Sequence, residues 1–264
     1  MITFIDYYDQ SRMKPQVRQQ EILARMRAIQ KEWKVEELAA AVRVSPITIR
    51  RDLDCLGRQG AVIRTFGGGL IDNRRKMAAY HERVANNFEL KQAIGRAAAG
   101  EIRKGSTILI NDGSTTFHLA GCMDKCGPVT VYTNSIVMIG ELCAFPDIRL
   151  NILGGEYHSE LFYLGGALLE RVLETISADT AFIGADAVSA DGGCYCQDED
   201  LARTAQLMMK QARRRILLAD HTKFDQKAPV RYARLDAFDL WITSKGLKFN
   251  VLNKTRKMTK IKEV

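Results

Sequence analysis

Six short apolar runs alternate with helical stretches along most of this chain, and the alternation restricts its fold more than any other feature. The runs are Thr107–Ile110, Val129–Tyr132, Arg149–Leu153, Thr180–Ile183, Arg215–Leu218 and Leu240–Ile242. Each is too short for a helix, and most contain β-branched residues, so each predicts a buried strand. Helical patterns fall between them, around Thr116–Met123, Ser135–Cys143, Ala167–Ile176 and Leu201–Arg213. Strands separated by helices need crossover connections, which predicts an α/β fold with a mostly parallel sheet. A helix over Glu89–Lys104 is expected to lead into it. One more helix, Val251–Met258, and an edge strand, Ile261–Val264, are expected after it.

The first ~70 residues follow a different rule. Val17, Ile22, Met26 and Ile29 recur at helical spacing, which predicts an amphipathic helix over Pro15–Lys31. Val35, Leu38, Ala39 and Val42 repeat that spacing on a short second helix. Ser45-Pro46 then opens a third, with Ser as N-cap and Pro at the first helical position, where its missing N–H costs nothing. Ile49, Leu53 and Leu56 form its buried stripe and Gly60 ends it. Ala61–Arg64 reads as a short strand, and Gly67-Gly68-Gly69 as a flexible turn. The division expected is a winged helix-turn-helix over 1–72, a polar linker over 73–88 and a larger α/β domain over 89–264.

Charge distribution separates the two parts. The 264 residues carry a formal +8, made of +6 over residues 1–80, −3 over 81–247 and +5 over 248–264. A basic head on a mildly acidic body points to a polyanionic partner for the head. Membrane insertion is not expected, because no apolar run approaches ~18 residues. Met1–Gln16 includes Asp6 and Asp9 and has no apolar segment, so no secretory leader is expected either. The six cysteines are spread along the chain without paired zinc spacing, and the four histidines are scattered. Reduced cytoplasmic thiols, no metal and no cofactor are the expectation.

Two short helices joined by a tight turn are what a reader of the DNA major groove requires. With Ile49 and Leu53 inward, Thr48, Arg50 and Arg51 project from other faces. Ser45 and Pro46 stand at the helix start, where a backbone phosphate is favoured. Arg64 on the wing and Arg18 on the first helix are further candidate DNA contacts. Asp52 would repel phosphate and is expected to pair with an arginine instead. Taken alone, Arg50 and Arg51 read more readily as solvated helix charges. Their coincidence with the cap, the wing and the local +6 carries the reading.

Arg18-x-x-x-Ile22, followed by Ser45-x-x-Thr48-Ile49-Arg50-Arg51-Asp52-Leu53 and Gly60–Gly69, resembles the N-terminal signature of the DeoR family of bacterial transcriptional repressors. The body resembles that family's sensor domain nearly end to end. The matching pieces are Ile94–Ala98, Asp112–Thr116, Thr133-Asn134-Ser135, Leu153-Gly154-Gly155, Phe182–Asp186, Gly192-Gly193 and Leu218–Phe224. The resemblance implies a fold like ribose-5-phosphate isomerase and a phosphorylated sugar or related metabolite as effector. It also implies a carbohydrate or sugar-acid catabolic operon as target. One departure stands out. Where family members commonly carry an acidic/basic pattern on the helix after the Gly-Gly loop, this chain has Arg203 and Ala205.

The residues support the same kind of site independently. In a parallel sheet, ligands gather beyond the carboxyl ends of the strands. Those ends carry Asp112-Gly113-Ser114-Thr115-Thr116, Thr133-Asn134, Gly154-Gly155, Asp186 and Lys223. Small and hydroxyl residues ahead of a helix can offer N–H groups and hydroxyls to a phosphate, and Lys223 the opposing charge. Turns favour the same residue types for purely local reasons. The expected function is a cytoplasmic, homo-oligomeric repressor that binds double-stranded operator DNA and is released by a phosphorylated or carboxylated metabolite. Two alternatives remain: a sugar-phosphate isomerase with an appended DNA-binding domain, using Asp112, Asp186 or Asp220, and an architectural DNA binder without a ligand.

Overall fold

The computed structural model describes residues 13–29, 31–72 and 74–264, and the side chains of 74–76 are not described. Residues 1–12, where most of the leader expectation falls, lie outside the described residues. The chain forms two compact units, Met1–Ala79 and Tyr80–Val264.

In the first unit, α1 (Pro15–Ala28), β1 (Trp33–Lys34), α2 (Val35–Val42) and α3 (Pro46–Arg58) precede β2 (Val62–Arg64) and β3 (Gly68–Ile71). Ser45 caps α3: its side chain accepts from the Thr48 N–H at 3.2 Å, an arrangement that contributes about 1 kcal/mol. Ile22, Met26, Leu38, Val42, Ile49 and Leu53 close a single core with no solvent exposure. The expectation for the glycines needs correction. Gly67 lies in the turn, but Gly68 and Gly69 are strand residues of an antiparallel sheet ordered β1-β3-β2. A Cβ at Gly68 would stand 1.9 Å from the Trp33 carbonyl oxygen, so β1 approaches as it does only against glycine. The linker expected over 73–88 is largely helical, because α4 runs from Arg74 to Ala85 and the unit boundary falls within it.

The second unit contains α5 (Phe88–Ala99), β4 (Thr107–Ile110), α6 (Ser114–Ala120), β5 (Val129–Thr133), α7 (Ile139–Cys143) and β6 (Ile148–Ile152). There follow β7 (Glu156–His158), β8 (Tyr163–Gly165), α8 (Gly166–Glu174), β9 (Ala178–Gly184), β10 (Ala187–Val188), β11 (Gly193–Cys196), α9 (Glu199–Gln211), β12 (Ala212–Leu218), β13 (Val230–Arg234), β14 (Leu240–Thr243), α10 (Phe249–Thr255) and β15 (Ile261–Glu263). All six anticipated strands lie in one seven-stranded sheet, ordered β15-β14-β12-β9-β4-β5-β6 and parallel throughout. The seventh strand, β15, is the edge strand expected at the C-terminus. Two apolar clusters cover its faces, one around Leu109, Ile183, Leu217 and Trp241, the other around Ile108, Ile110, Phe182 and Ile216. Successive strand residues point to opposite faces, which explains why these runs read as continuously apolar. Strand order reverses between β4 and β9: β5 and β6 add on one side, β12, β14 and β15 on the other. Arg213, expected to end the preceding helix, belongs to β12 together with Arg214 and Arg215. There Arg214 pairs with Glu101 at 2.8 Å and Arg215 with Asp239 at 3.3 Å.

Candidate functional site

In the first unit, α3 presents an outward face whose members differ in how far they are committed. Arg51 is exposed, and Arg50 is exposed apart from a loose 3.8 Å approach to Glu36. Thr48 is half-buried, its hydroxyl 2.9 Å from that of Ser45. Pro46 occupies the first helical position.

Two other candidates are spent on the fold. The Arg18 guanidinium is buried against Asp52, with Nε 2.5 Å and Nη2 3.2 Å from its two carboxylate oxygens, and Nη1 donates to the Met13 carbonyl. Its expected role at phosphate is therefore corrected, because the group is buried and each of its three nitrogens is bonded within the first unit. Asp52 does pair with an arginine, as anticipated. Arg64 bonds Asp54 at 2.9 Å and the Gly68 carbonyl, which ties the wing to α3. Two exposed apolar side chains escaped sequence reasoning: Ile47 in the first turn of α3, and Phe66, wholly exposed in the turn between β2 and β3.

In the second unit, a cavity of about 140 Å³ opens at the carboxyl ends of β4, β9 and β12, where the strand order reverses. This is where parallel sheets place ligands. Its wall includes Asp112, Gly113, Ser114, Thr115, Asp186 and Lys223 of the anticipated residues. Gly113 has φ +144°, a conformation only glycine adopts freely, and it turns the chain from β4 into α6.

Other anticipated residues lie outside the cavity. Thr116 is fully buried and bonds back to the Gly113 carbonyl at 3.0 Å. Thr133 accepts from the Ser135 N–H at 3.1 Å. Asn134 supports the wall from behind, accepting from the Asp112 N–H at 3.0 Å and donating to the Leu164 carbonyl at 3.2 Å. Gly154 and Gly155 follow β6, on the far side of the reversal.

The helices supply what the strand-end rule missed. Tyr80 and Arg83 of α4, Asn87, and Lys91 of α5 all line the cavity, with Leu201 and Ala205 of α9 opposite. Arg83 stacks over the Tyr80 ring at 5.6 Å. Lys91 is buried and donates to the Arg83 carbonyl. Ala205 thus faces the cavity, whereas Arg203 pairs outside it with Glu170 at 3.1 Å.

Three cations, Arg83, Lys91 and Lys223, and three carboxylates, Asp112, Asp186 and Asp220, share the lining. Burial, helped by the Asp186 charge, pushes the Asp112 carboxyl up to about 7. Burial also raises Asp186, against the pull of Lys223 and Arg83. Desolvation and the neighbouring Lys223 lower Lys91 to about 8. Two buried oxygens at this wall have no hydrogen-bond partner among the described residues: Asp220 Oδ2 and the Tyr80 hydroxyl. Buried polar atoms without partners are costly, so these two point to a polar occupant. No cluster of three metal-ligating side chains occurs among the described residues, and all six cysteines are free thiols. No described helix is long and apolar enough to cross a membrane.

A winged helix-turn-helix joined in one chain to a parallel α/β unit with a polar cavity at its strand reversal defines a DNA-binding regulator with a sensor domain. Residues 18–75 match the DeoR-like helix-turn-helix domain and residues 86–245 the DeoR C terminal sensor domain, and the chain belongs to the DeoR family. It is 30% identical to the putative aga operon transcriptional repressor of Escherichia coli O157:H7, over 91% of this chain and 90% of that one. It is 34% identical to the HTH-type transcriptional repressor GlcR of Bacillus subtilis (strain 168), over 80% and 81% of the two chains. Among solved structures, ribose 5 phosphate isomerase A from Neisseria gonorrhoeae aligns with a TM-score of 0.39 at 17% identity, covering 53% of this chain and 54% of that one.

Proposed function

We propose that this protein is a cytoplasmic, homo-oligomeric repressor of a carbohydrate or sugar-acid catabolic operon, released when a phosphorylated or carboxylated metabolite enters the cavity of the second unit. The observation that carries the effector reading is the cavity itself, with cations and carboxylates side by side. Arg83, Lys91 and Lys223 suit an anionic group, and Asp112, Asp186 and Asp220 suit hydroxyls. The metabolite relieves repression by binding the operator-free state more tightly than the operator-bound one.

Arg50→Ala and Arg51→Ala are each expected to weaken operator binding by about 1–3 kcal/mol. Gel-shift titration checks this, and unchanged affinity in both variants would remove α3 from the DNA interface. Lys223→Ala is expected to abolish the thermal shift that an anionic metabolite produces, with DNA affinity in its absence unchanged. A ligand at ~100 times its Kd adds about 2.7 kcal/mol of stability, so a panel of sugar phosphates and sugar acids suffices for the screen. A full shift in the variant refutes the cradle. A carboxyl titrating near neutrality also suits a general base, which is what favours the isomerase alternative. A coupled isomerase assay over pentose and hexose phosphates separates the two.

A further inference from the structure

The apolar residues of α3 divide sharply. Ile49, Leu53 and Leu56 are at most 2% exposed and complete the core of the first unit, whereas Ile47 is 61% exposed. Scattered exposed apolar side chains are ordinary and need no explanation. Ile47 is in an unusual place, however. It lies in the first turn of α3, between Pro46 and Thr48, and residues three and four positions along a helix share its side. Those residues are Arg50 and Arg51, both exposed. A branched aliphatic group thus stands one turn ahead of two cations, on the face of the first unit that the DNA-binding assignment turns toward the duplex.

Major-groove edges offer one apolar group that such a side chain can bury, the C5-methyl of thymine. Apart from ring C–H groups, which offer far less surface, the other groups on those edges are hydrogen-bond donors or acceptors, for which isoleucine has no partner. We propose that Ile47 is a specificity determinant that reads a thymine methyl in each half-site, while Arg50 and Arg51, one turn further along α3, supply charged contacts. The proposal rests on the assignment of α3 as the DNA-reading helix. It adds that one base position is chosen by apolar contact and not by hydrogen bonding.

The test uses the full-length protein and duplexes recovered by selection from a randomised pool. Thymines of the selected site are replaced singly by deoxyuridine, which deletes the methyl and keeps both Watson–Crick pairing and the major-groove O4 acceptor. Binding is read by fluorescence anisotropy for the wild type and for Ile47→Ala. Ile47 is exposed and alanine is a better helix former, so the variant keeps the fold; circular dichroism verifies this.

At one thymine per half-site, loss of the methyl is expected to weaken wild-type binding about fourfold, the value of one buried methyl-sized group, and to leave Ile47→Ala unaffected. Selection repeated with Ile47→Ala is expected to lose its thymine preference at that position alone. Wild-type binding without any thymine whose methyl effect disappears in Ile47→Ala overturns the proposal and leaves the DNA assignment standing. Failure of the wild type to bind any duplex overturns both.

Discussion

Arg18→Ala is expected to destabilise the first unit by about 3–5 kcal/mol, the usual cost of leaving one member of a buried ion pair without its partner. Both side chains are nearly inaccessible, and Asp52 accepts from Arg18 and, at 3.1 Å, from the Gln19 amide. Removing the guanidinium leaves a carboxylate enclosed between α1 and α3. Since whole domains are stable by only about 5–15 kcal/mol, a unit of this size loses most of its margin. Operator binding then disappears because the unit unfolds. Denaturant unfolding separates this from the loss expected of Arg50→Ala, where binding falls and stability stays. An apolar replacement of the pair, Arg18→Met with Asp52→Leu, is expected to restore folding. If Arg18→Ala unfolds at the wild-type midpoint, the pair is not structural.

The second large effect has the opposite sign. Asp112→Asn is expected to raise the stability of the ligand-free sensor unit at pH 8. The Asp112 carboxyl is held at about 7 in the folded protein and near the ordinary value in the unfolded one. Folding therefore favours the protonated form. This contribution is fully present below about pH 4 and is lost as the pH rises through about 7. Full enclosure would make the loss about 4 kcal/mol, and partial access of solvent to the residue roughly halves it. A change of ~2 kcal/mol moves Tm by about 4–8 °C in a unit of this size. Calorimetry across pH 5–8 should show the wild type losing stability along that range and the variant losing less. Some pH dependence remains, because Asp186 is shifted in the same direction. Superimposable profiles would show that the Asp112 charge is not buried at any cost. Stability sacrificed at a cavity wall is the pattern expected of a binding site.

What the sequence revealed and concealed follows from physical range. The strands of the large sheet were legible because burial on both faces makes them apolar throughout, and α3 because its cap and its stripe agree. The small sheet β10-β11-β13 and the hairpin β7-β8 left no such trace. Their strands run from two to five residues, with a register shift between Cys194 and Tyr195, so no period develops. The polar sequence from Arg74 looked like a linker, yet α4 needs only a few apolar positions, Tyr80 among them. At the cavity, the strand-end rule located Asp112, Asp186 and Lys223. It also selected Thr133, Asn134, Gly154 and Gly155, which end or follow β5 and β6, the strands beyond β4 and further from the reversal. Strand order is a long-range property that local patterns do not carry. For the same reason Arg83 and Lys91 were missed, since they reach the cavity from helices that precede the first strand of the sheet.

The unpartnered oxygens of Asp220 and Tyr80 would let the cavity favour one occupant over another of the same size and charge. An occupant that brings a hydroxyl or an amine to Asp220 Oδ2 satisfies an acceptor that the fold leaves bare. One that matches in size and charge but presents a hydrogen or a methyl there leaves in place a cost of about 1–3 kcal/mol that the fold already carries. Deoxygenated analogues would forgo that gain. A cell that meets many phosphorylated metabolites of similar bulk would gain its discrimination from these two atoms more than from the surrounding charges, which any anion satisfies.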